Sequence, residues 1–333
     1  MQKCGMSVHA RKKAKKTLEQ EIVVQDGQVF MLPEETLLYI FKYLNISELI
    51  IAGSICKAWR RIAYDDELWK RIDLTYRPSS VHQLMTFFKR FDRSITTELR
   101  IQGLPKGYTK FKRVNLCQCS KSLCDQIQKS YKNLKDLYMF EFSFRETHDR
   151  AQHISCLPRN LESIHLIKCE MPMMTIQGNL DFLMVKNSMD FFLPRLQVLS
   201  FKNSPCITLL SVSYLPKLCP NLIELDLSKC CRISSSRSLS IMLMSYERTL
   251  RKLHLQQTNI DDDTIHCICR KLKRLVFFDI RECKNVTIMI VPNLCTLNQL
   301  QTLLAEEQLL NAYVEMKNMT QDEENETDAI CID

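Results

Sequence analysis

The sequence predicts an α/β chain in which a small N-terminal unit of three helices precedes a solenoid of parallel strands and helices. Two observations lead to this fold class. Residues 32–74 are dense in apolar residues at helical spacing and contain both tryptophans of the chain. Beyond them, a leucine pattern recurs at intervals of 25 to 35 residues. Such a period is typical of solenoids, in which each repeat buries its apolar face against its neighbours.

The N-terminal unit is predicted to contain three short helices. Pro33 suits the first turn of helix one, because its missing N–H would have no partner there. Ser47 is the expected N-cap of helix two, and Glu48 adds negative charge to the first turn of that helix. Apolar residues at helical spacing form a stripe on helix one, at Leu37, Ile40, Phe41 and Leu44. Helix three contains Cys56, Trp59, Ile62 and Ala63, with Leu68–Trp69 closing the unit.

The apolar surface of this unit exceeds what a segment of its size can bury. A domain of about forty-five residues buries only a small part of its surface, and its stability is marginal for that reason. Two explanations are open at this point. The excess surface binds a partner or a second domain, or the unit is a small helical cap on a larger fold.

The repeat has the pattern L-x-x-L-x-L-x-x-C/N with conservative exchanges. The L-x-L core predicts a strand whose alternate side chains point inward, and apolar residues at helical spacing fill the segments between strands. Cys169, Cys230 and Cys283 close their strands and are expected to be buried packing residues. Weaker copies begin at Trp69, Leu99 and Leu300. The clear copies begin at Leu134, Leu161, Leu196, Leu222, Leu250 and Leu275.

Charge is unevenly distributed along the chain. The net charge is +8, yet residues 1–16 hold six basic and no acidic side chains, and residues 322–333 hold six acidic and no basic ones. A basic cluster such as Arg11–Lys16 is typical of a nuclear address, a nucleic-acid contact or a solvated tail. We therefore predict a disordered basic tail at 1–28, the helical unit at 29–75, repeats at 76–310, and a disordered acidic tail at 311–333.

Composition and motifs exclude several classes of protein. There is no apolar run of the length of a transmembrane helix, so no membrane association is expected. Sixteen cysteines without a secretory signal indicate reduced thiols and a cytoplasmic or nuclear location. Phosphate-binding glycine loops and hydrolase motifs are absent, and no cofactor is expected. No metal is expected either, since the cysteine clusters around Cys117–Cys124 and Cys267–Cys269 lack paired C-x-x-C spacing.

The segment Leu32–Leu74 resembles an F-box. It begins with L-P-x-E, continues with an apolar helix that ends at Leu44, and contains S-I-C-x-x-W at Ser54–Trp59. An F-box followed directly by leucine-rich repeats resembles the F-box/leucine-rich-repeat family. The stretch Cys219–Cys230 is similar to the cysteine-containing repeat subtype of that family. The resemblance implies an α/β fold: a three-helix F-box followed by a leucine-rich-repeat solenoid, a horseshoe with parallel strands on the concave face and helices outside.

The resemblance also implies partners and a mechanism. F-boxes bind the adaptor Skp1 and, through it, a cullin–RING scaffold, so the chain is expected to be a non-catalytic substrate receptor of a ubiquitin ligase. The alternative is a non-degradative interaction scaffold. The residues expected to face Skp1, or to hold the helices that do, are Leu32, Pro33, Leu37, Ile40, Leu44, Leu49, Ile55, Cys56 and Trp59.

The strand residues that flank the inward leucines are the expected binding surface for protein substrates. Aromatic residues there are typical binding anchors, unless insertions cover them. The mixed charges of this surface argue against one uniformly charged ligand, and against nucleic acid. The candidate substrate-binding residues are Tyr138, Phe140, His165, Glu224, Asp226, His254, Phe277 and Arg281.

Overall fold

The chain divides into two compact units, one ending at Leu68 and one beginning at Trp69. The coordinates are a computed structural model. The predicted basic tail at 1–28 lies outside the residues that this structure describes. Those residues are 32–91, 94–104, 117–118, 121–143, 157–170, 193–205, 207–213, 215–234 and 237–330.

The first unit is helical, as the sequence predicts. Its helices are α1 (Glu34–Phe41), α2 (Ile46–Ala52) and α3 (Lys57–Ala63), followed by the single turn α4 (Asp66–Trp69). Their core includes Phe41, which is 2% exposed and lies edge-on to Trp59 with ring centroids 5.3 Å apart. A salt bridge between Arg61 and Glu34 joins α3 to α1.

The N-cap of α2 is Asn45, two residues before the predicted cap Ser47. The Asn45 side chain accepts hydrogen bonds from the N–H groups of Ser47 (3.0 Å) and Glu48 (3.1 Å). In return, the Glu48 carboxylate accepts the N–H of Asn45 at 2.8 Å. This reciprocal capping box satisfies several donors at once, which a serine two positions further along could not do. Pro33 is likewise the N-cap of α1 and lies just before its first turn.

The second unit contains a nine-stranded parallel sheet, and its strands coincide with the clear and the weaker copies of the leucine pattern. Two shorter strands, β3 (Cys117–Gln118) and β5 (Phe142–Ser143), pair separately. Trp69 lies in the position of a first leucine, where it is fully buried and stacks on Phe91 at 5.2 Å. The strands follow in sheet order as β1 (Arg71–Asp73), β2 (Glu98–Gln102), β4 (Asp136–Phe140), β6 (Ser163–Ile167), β7 (Val198–Ser200), β8 (Glu224–Asp226), β9 (Lys252–His254), β10 (Phe277–Asp279) and β11 (Thr302–Leu304).

The strand register aligns the inward side chains in rows. Leu99, for example, pairs with Leu137, which in turn pairs with Ile164, and all three are fully buried. The predicted inward positions are therefore confirmed. In the flanking positions of the same strands, most side chains are half-buried or exposed.

Helices connect the strands and contribute the other side of the core. Lys121–Ser130 forms one of these helices, because Leu123, Cys124 and Ile127 are fully buried on one side of it. The described helices of the second unit are α5 (Val81–Arg90), α6 (Lys121–Ser130), α7 (Leu209–Ser213), α8 (Leu215–Leu218), α9 (Arg237–Met244), α10 (Asp262–Lys271), α11 (Val291–Cys295), which a 3₁₀ turn precedes, and α12 (Glu307–Ile330).

Six of the described repeats turn at a non-glycine residue with positive φ. A buried residue follows in each case, and it is small in all but one, where it is Phe142. The φ angles lie between 54 and 62°. Cys169, Cys230 and Cys283 follow three of these turns, and each thiol donates to a carbonyl of the preceding repeat at 3.1 to 3.3 Å. Their prediction as packing residues is confirmed. The turn residues are Glu141, Lys168, Asn203, Lys229, Gln257 and Glu282.

The acidic C-terminal segment differs from its prediction. Disorder was expected from residue 311, whereas α12 extends from Glu307 through Ile330. Helical apolar spacing continues past the last strand, since Leu309 and Tyr313 are both buried. The acidic residues beyond them are compatible with a helix, because glutamate is a good helix former.

We predict that Asn45→Ala weakens α2 specifically. Loss of the capping box costs about 1 kcal/mol, so amides of residues 49–52 should exchange roughly fivefold faster with deuterium. Hydrogen exchange followed by mass spectrometry measures this. Asn45→Asp retains the acceptor and should exchange like the original chain; equal exchange in Asn45→Ala would contradict the role of the cap.

We also predict that the corner thiols resist alkylation in the native chain. Burial raises the pKa of Cys169 and of Cys230 to about 12, so both are protonated and shielded, whereas Cys56 and Cys231 are exposed. With N-ethylmaleimide at pH 8, the two buried thiols should react roughly 100-fold more slowly than the exposed pair. Peptide mass spectrometry gives the rates, with urea-denatured chain as the control. Comparable native rates would contradict the burial.

Candidate interaction surfaces

The structure divides the nine predicted F-box residues into two groups. Leu37 and Leu49 are buried in the helical unit, and Leu44 and Trp59 are half-buried. They hold the helices together. The other five have exposed side chains and are available to a partner: Leu32, Pro33, Ile40, Ile55 and Cys56.

Three further apolar side chains of the helical unit are exposed, and the sequence analysis did not select them. Ile51 is 63% exposed, Tyr39 60% and Tyr43 74%. The two tyrosines lie one helical turn apart with ring centroids at 5.5 Å, and the Tyr43 hydroxyl donates to that of Tyr39 at 2.8 Å. Their spacing of four residues, outside the apolar stripe, with Tyr39 on α1 and Tyr43 in the turn after it, was the available signal. Six of the large exposed apolar side chains therefore fall within residues 32–55.

The candidate substrate-binding residues lie together on one face of the nine-stranded sheet. We call this the open face and define it by the strand residues that flank the buried leucines. Register places Tyr138 beside His165, and Asp226 beside His254. All eight candidates belong to this face or directly continue it; Arg281 is exposed and the other seven are half-buried.

A stack of three planar side chains crosses strands β2, β4 and β6. The Arg100 guanidinium lies 4.4 Å from the ring centre of Tyr138, and Tyr138 stacks on His165 at 4.2 Å with the rings 2° from parallel. Burial lowers the pKa of His165 and raises that of Tyr138. Both side chains are therefore neutral near pH 7. The stack presents a flat, mainly apolar surface, and the Arg100 cation at its end is paired with Glu98.

A second cluster joins β8, β9 and β10. Glu224 lies 3.4 Å from His254 Nε2 and 3.2 Å from Lys252 Nζ, and the His254 ring packs on Phe277 at 4.6 Å. The nearby His254 imidazole, and then the Lys252 ammonium, lower the pKa of Glu224 to about 2 despite its partial burial. This carboxylate is already paired within the chain, so it is a structural group of the open face.

The remaining candidates are also held by their neighbours. Arg281 donates two hydrogen bonds to Asp279, at 3.0 and 2.7 Å. Asp226 accepts from the Ser200 hydroxyl at 3.0 Å, and Phe140 is paired with Ile167 in register. Whether insertions cover the aromatic residues stays open, since the segments 144–156 and 171–192 lie outside the described residues.

Neither a metal-binding cluster nor a membrane-spanning helix occurs in the described ranges. Within them, no three His, Cys, Asp or Glu side chains are placed to hold a metal ion. Cys119, His148 and His153, which the sequence offers as ligand types, lie outside those ranges. No described helix is long and apolar enough to cross a membrane.

We predict that Glu224→Gln destabilises the repeat unit in a pH-dependent way. The pKa of a carboxylate in the unfolded chain is near 4.5, so the lowered native pKa of about 2 stabilises the fold above pH 4.5 and ceases to do so as the pH falls toward 2. Half-exposure reduces the effect to about 1 kcal/mol, or roughly 3 °C in Tm at pH 7.

Differential scanning calorimetry at pH 7 and pH 3 measures this change. The difference in Tm between the two chains should shrink at pH 3. Glu247→Gln is the matched control, because Glu247 is an exposed carboxylate in the turn before β9. A Tm difference for Glu224→Gln that is equal at both pH values would contradict the pairing.

Comparison with known proteins supports the resemblance that the sequence suggested. A model of the F-box-like family matches residues 29–75. Mouse F-box/LRR-repeat protein 12 is 28% identical over 153 residues, which are 46% of this chain and 44% of the mouse protein. The human protein of that name is 28% identical over 142 residues, or 43% of this chain and 40% of the human one.

Among solved structures, the leucine-rich repeat-containing protein LegL7 from Legionella pneumophila matches 76% of this chain and 94% of its own, with a TM-score of 0.35 and 13% identity. The matched segments of the two mammalian proteins are less than half of their length. The segments LWKRIDLTYRP and LPRNLESIHLIKCE resemble F-box/LRR-repeat protein 12, and the alignments confirm a similarity to that protein. The chain therefore carries an F-box-like domain before its repeats and is similar in sequence to F-box/LRR-repeat protein 12.

Proposed function

We propose that the chain is the substrate-binding subunit of a Skp1–cullin–F-box ubiquitin ligase. In this proposal, residues 29–75 bind Skp1, which links the chain to the cullin–RING scaffold. The repeats bind proteins that are then ubiquitinated and degraded by the proteasome. The F-box-like match and the similarity to an F-box/LRR-repeat protein support the assignment.

The observation that carries the proposal is the exposed apolar surface of the helical unit. Ile40, Ile55 and Leu32 are 42, 48 and 50% exposed, although leucine and isoleucine are usually buried. Tyr39, Tyr43 and Ile51 add to this surface. Exposed apolar side chains in such number are typical of a protein-binding site, and Skp1 is the partner that an F-box-like domain implies.

The open face of the repeats is the proposed surface for substrates. It combines aromatic stacks with charges of both signs, which suits a folded or extended protein segment of mixed character. Planar side chains such as Tyr138 are typical anchors of interfaces, because they bury a large area with little loss of conformational freedom.

No residue of the chain need react in this mechanism. A receptor accelerates ubiquitin transfer by holding the substrate lysine near the charged thioester, which raises its effective concentration. The buried thiols fit this passive role, because burial raises the pKa of Cys219 and of Cys269 to about 12. Protonated buried thiols are poor nucleophiles.

We predict that the full chain copurifies with Skp1 and that Ile40→Ala with Ile55→Ala weakens the complex about 30-fold. Each truncation of an exposed anchor that becomes buried in an interface costs about 1 kcal/mol. Biolayer interferometry with immobilised Skp1 gives the affinities, and circular dichroism checks that the helices persist. Pull-down of the cullin scaffold through Skp1 tests assembly of the ligase.

A matched control is available in the repeat unit. Ile241 and Ile288 are 55 and 54% exposed, so Ile241→Ala with Ile288→Ala removes similar apolar surface away from the F-box. That variant should bind Skp1 as the original chain does. Absence of Skp1 binding, or equal affinity for both double variants, would refute the ligase proposal and leave the non-degradative scaffold.

A further inference from the structure

The column of planar side chains on the open face stops at strand β6. Arg100, Tyr138 and His165 stack across β2, β4 and β6, with 4.4 and 4.2 Å between successive groups. Tyr138 covers the face of the His165 ring toward β4, so the other face is directed toward β7. The residue in register on β7 is Ser200, which has no flat group to stack there. Among the described residues, His165 stacks only on Tyr138.

Strand β7 is a low point of the open face, because its flanking residues Val198 and Ser200 are shorter than those on either side. His165 stands beside it on β6, and Glu224 and Asp226 stand beside it on β8, in register with Val198 and Ser200. Neighbouring strands lie about 4.8 Å apart, so about 10 Å separates β6 from β8. That width accommodates one planar side chain. We call this site the β7 notch and define it by these five residues.

One carboxylate of the β7 notch has no cationic partner in the described part of the chain. Asp226 accepts the Ser200 hydroxyl at 3.0 Å and the N–H of Ser228 at 2.9 Å, and both donors are neutral. A carboxylate has about four acceptor positions, so about two of them remain for a ligand. Glu224, by contrast, is already paired with two basic side chains. The bond from Ser200 also holds one Asp226 oxygen close to β7, beside the position that a planar ligand would take.

The charge of the open face around the notch is negative. The first and third residues of the nine sheet strands include six carboxylates and three cations, so an approaching cation is attracted. Lys202, two residues beyond Ser200, is exposed and makes no ion pair with a described residue, so it does not neutralise Asp226. The carboxylates are Asp73, Glu98, Asp136, Glu224, Asp226 and Asp279, and the cations are Arg71, Arg100 and Lys252.

We propose that the β7 notch binds an arginine side chain of a partner protein. A guanidinium group is planar, stacks on aromatic rings and pairs with carboxylates through directed hydrogen bonds. In the notch it stacks on the β7-facing side of the His165 ring and donates to Asp226. The His165 ring is neutral near pH 7, so it does not repel the cation. That the partner is a ubiquitination substrate rests on the proposed function.

The chain itself contains this arrangement at the other end of the column. The Arg100 guanidinium lies 4.4 Å from the ring centre of Tyr138, and its Nε donates to Glu98 at 2.5 Å. One guanidinium thus combines the face of a ring with a carboxylate. An arginine in the notch repeats this combination with His165 and Asp226, so that a guanidinium group covers each end of the column.

Lysine is the competing ligand for an unpaired carboxylate, and the shape of the notch argues against it. A lysine ammonium is a compact point charge that pairs with Asp226 but has no plane to lay on an imidazole ring. It is also more strongly hydrated than a guanidinium, so its transfer into a partly buried site costs more. The flat ring beside the carboxylate therefore favours arginine over lysine.

The test uses the purified full chain and a set of fluorescein-labelled peptides that carry one central arginine between varied uncharged residues. Matched peptides with citrulline, which has the shape of arginine without its charge, and with lysine are the comparison probes. Fluorescence polarisation at physiological salt gives the affinities. The strongest arginine peptides should bind about tenfold more tightly than their citrulline forms and about threefold more tightly than their lysine forms.

Variants of the notch separate the roles of its two ligand-binding groups. Asp226→Asn should weaken the arginine peptides about tenfold, because the charge of the acceptor is lost. His165→Ala should weaken them about fivefold, whereas His165→Phe retains a flat ring and should bind within about twofold of the original chain. Circular dichroism checks that each variant is folded. Asp263→Asn is the matched control, since Asp263 is exposed on α10 and is not part of the sheet; it should leave the affinity unchanged.

Several results would overturn the proposal. They are equal affinity for arginine and citrulline peptides, lysine peptides that bind as tightly as arginine peptides, unchanged affinity in Asp226→Asn, and no detectable binding of any arginine peptide. Skp1 affinity, measured on the same preparation, tests the proposed function separately. Failure of the original chain to bind Skp1 would refute the ligase proposal alone and leave the arginine site standing.

Discussion

The in-register stacking of parallel strands is the constraint on which the repeat unit depends. No single repeat can cover its own leucines, so each inward side chain is buried only because the next strand lies beside it. The corner residues maintain this register. Lys229 adopts positive φ and its N–H donates to Gln256 of the next repeat at 2.8 Å, while the Cys230 thiol donates backward to Phe201. This corner therefore bonds to both neighbouring repeats.

This constraint leaves two kinds of position free to vary, and they form two different surfaces. Residues that alternate with the leucines form the open face, where side chains from adjacent strands stack, as Tyr138 does on His165. Residues in the turns before the strands form the second surface, where cationic side chains project from most repeats. Packing fixes the backbone in both places, so the chemistry of each surface follows from which residues fall in register.

The sequence predicted the elements whose signal is local and periodic. It predicted the helical unit, the strands and the inward leucines, because apolar spacing alone carries that information. It did not predict the Asn45 cap, since Asn45 and Ser47, two residues apart, are both suitable caps, nor did it predict the helix at Lys121–Ser130. It also did not predict the pocket where strands β6 to β9 begin, which Arg195 and Arg251 line. Arg195 and Arg251 are separated by 56 positions along the chain, and only the strand register brings their turns to one edge.

Some of the arginines in the turns before the strands help to join adjacent repeats. Arg251 donates to the carbonyl of Arg274, and Arg274 donates to the carbonyl of Arg248. Like charges that are gathered without acidic partners repel one another and destabilise the folded chain. The guanidinium groups of Arg195 and Arg248 are exposed and make no hydrogen bond or ion pair with described residues, so pairing does not offset that repulsion. Glutamine or asparagine in these turns would be equally soluble without the repulsion.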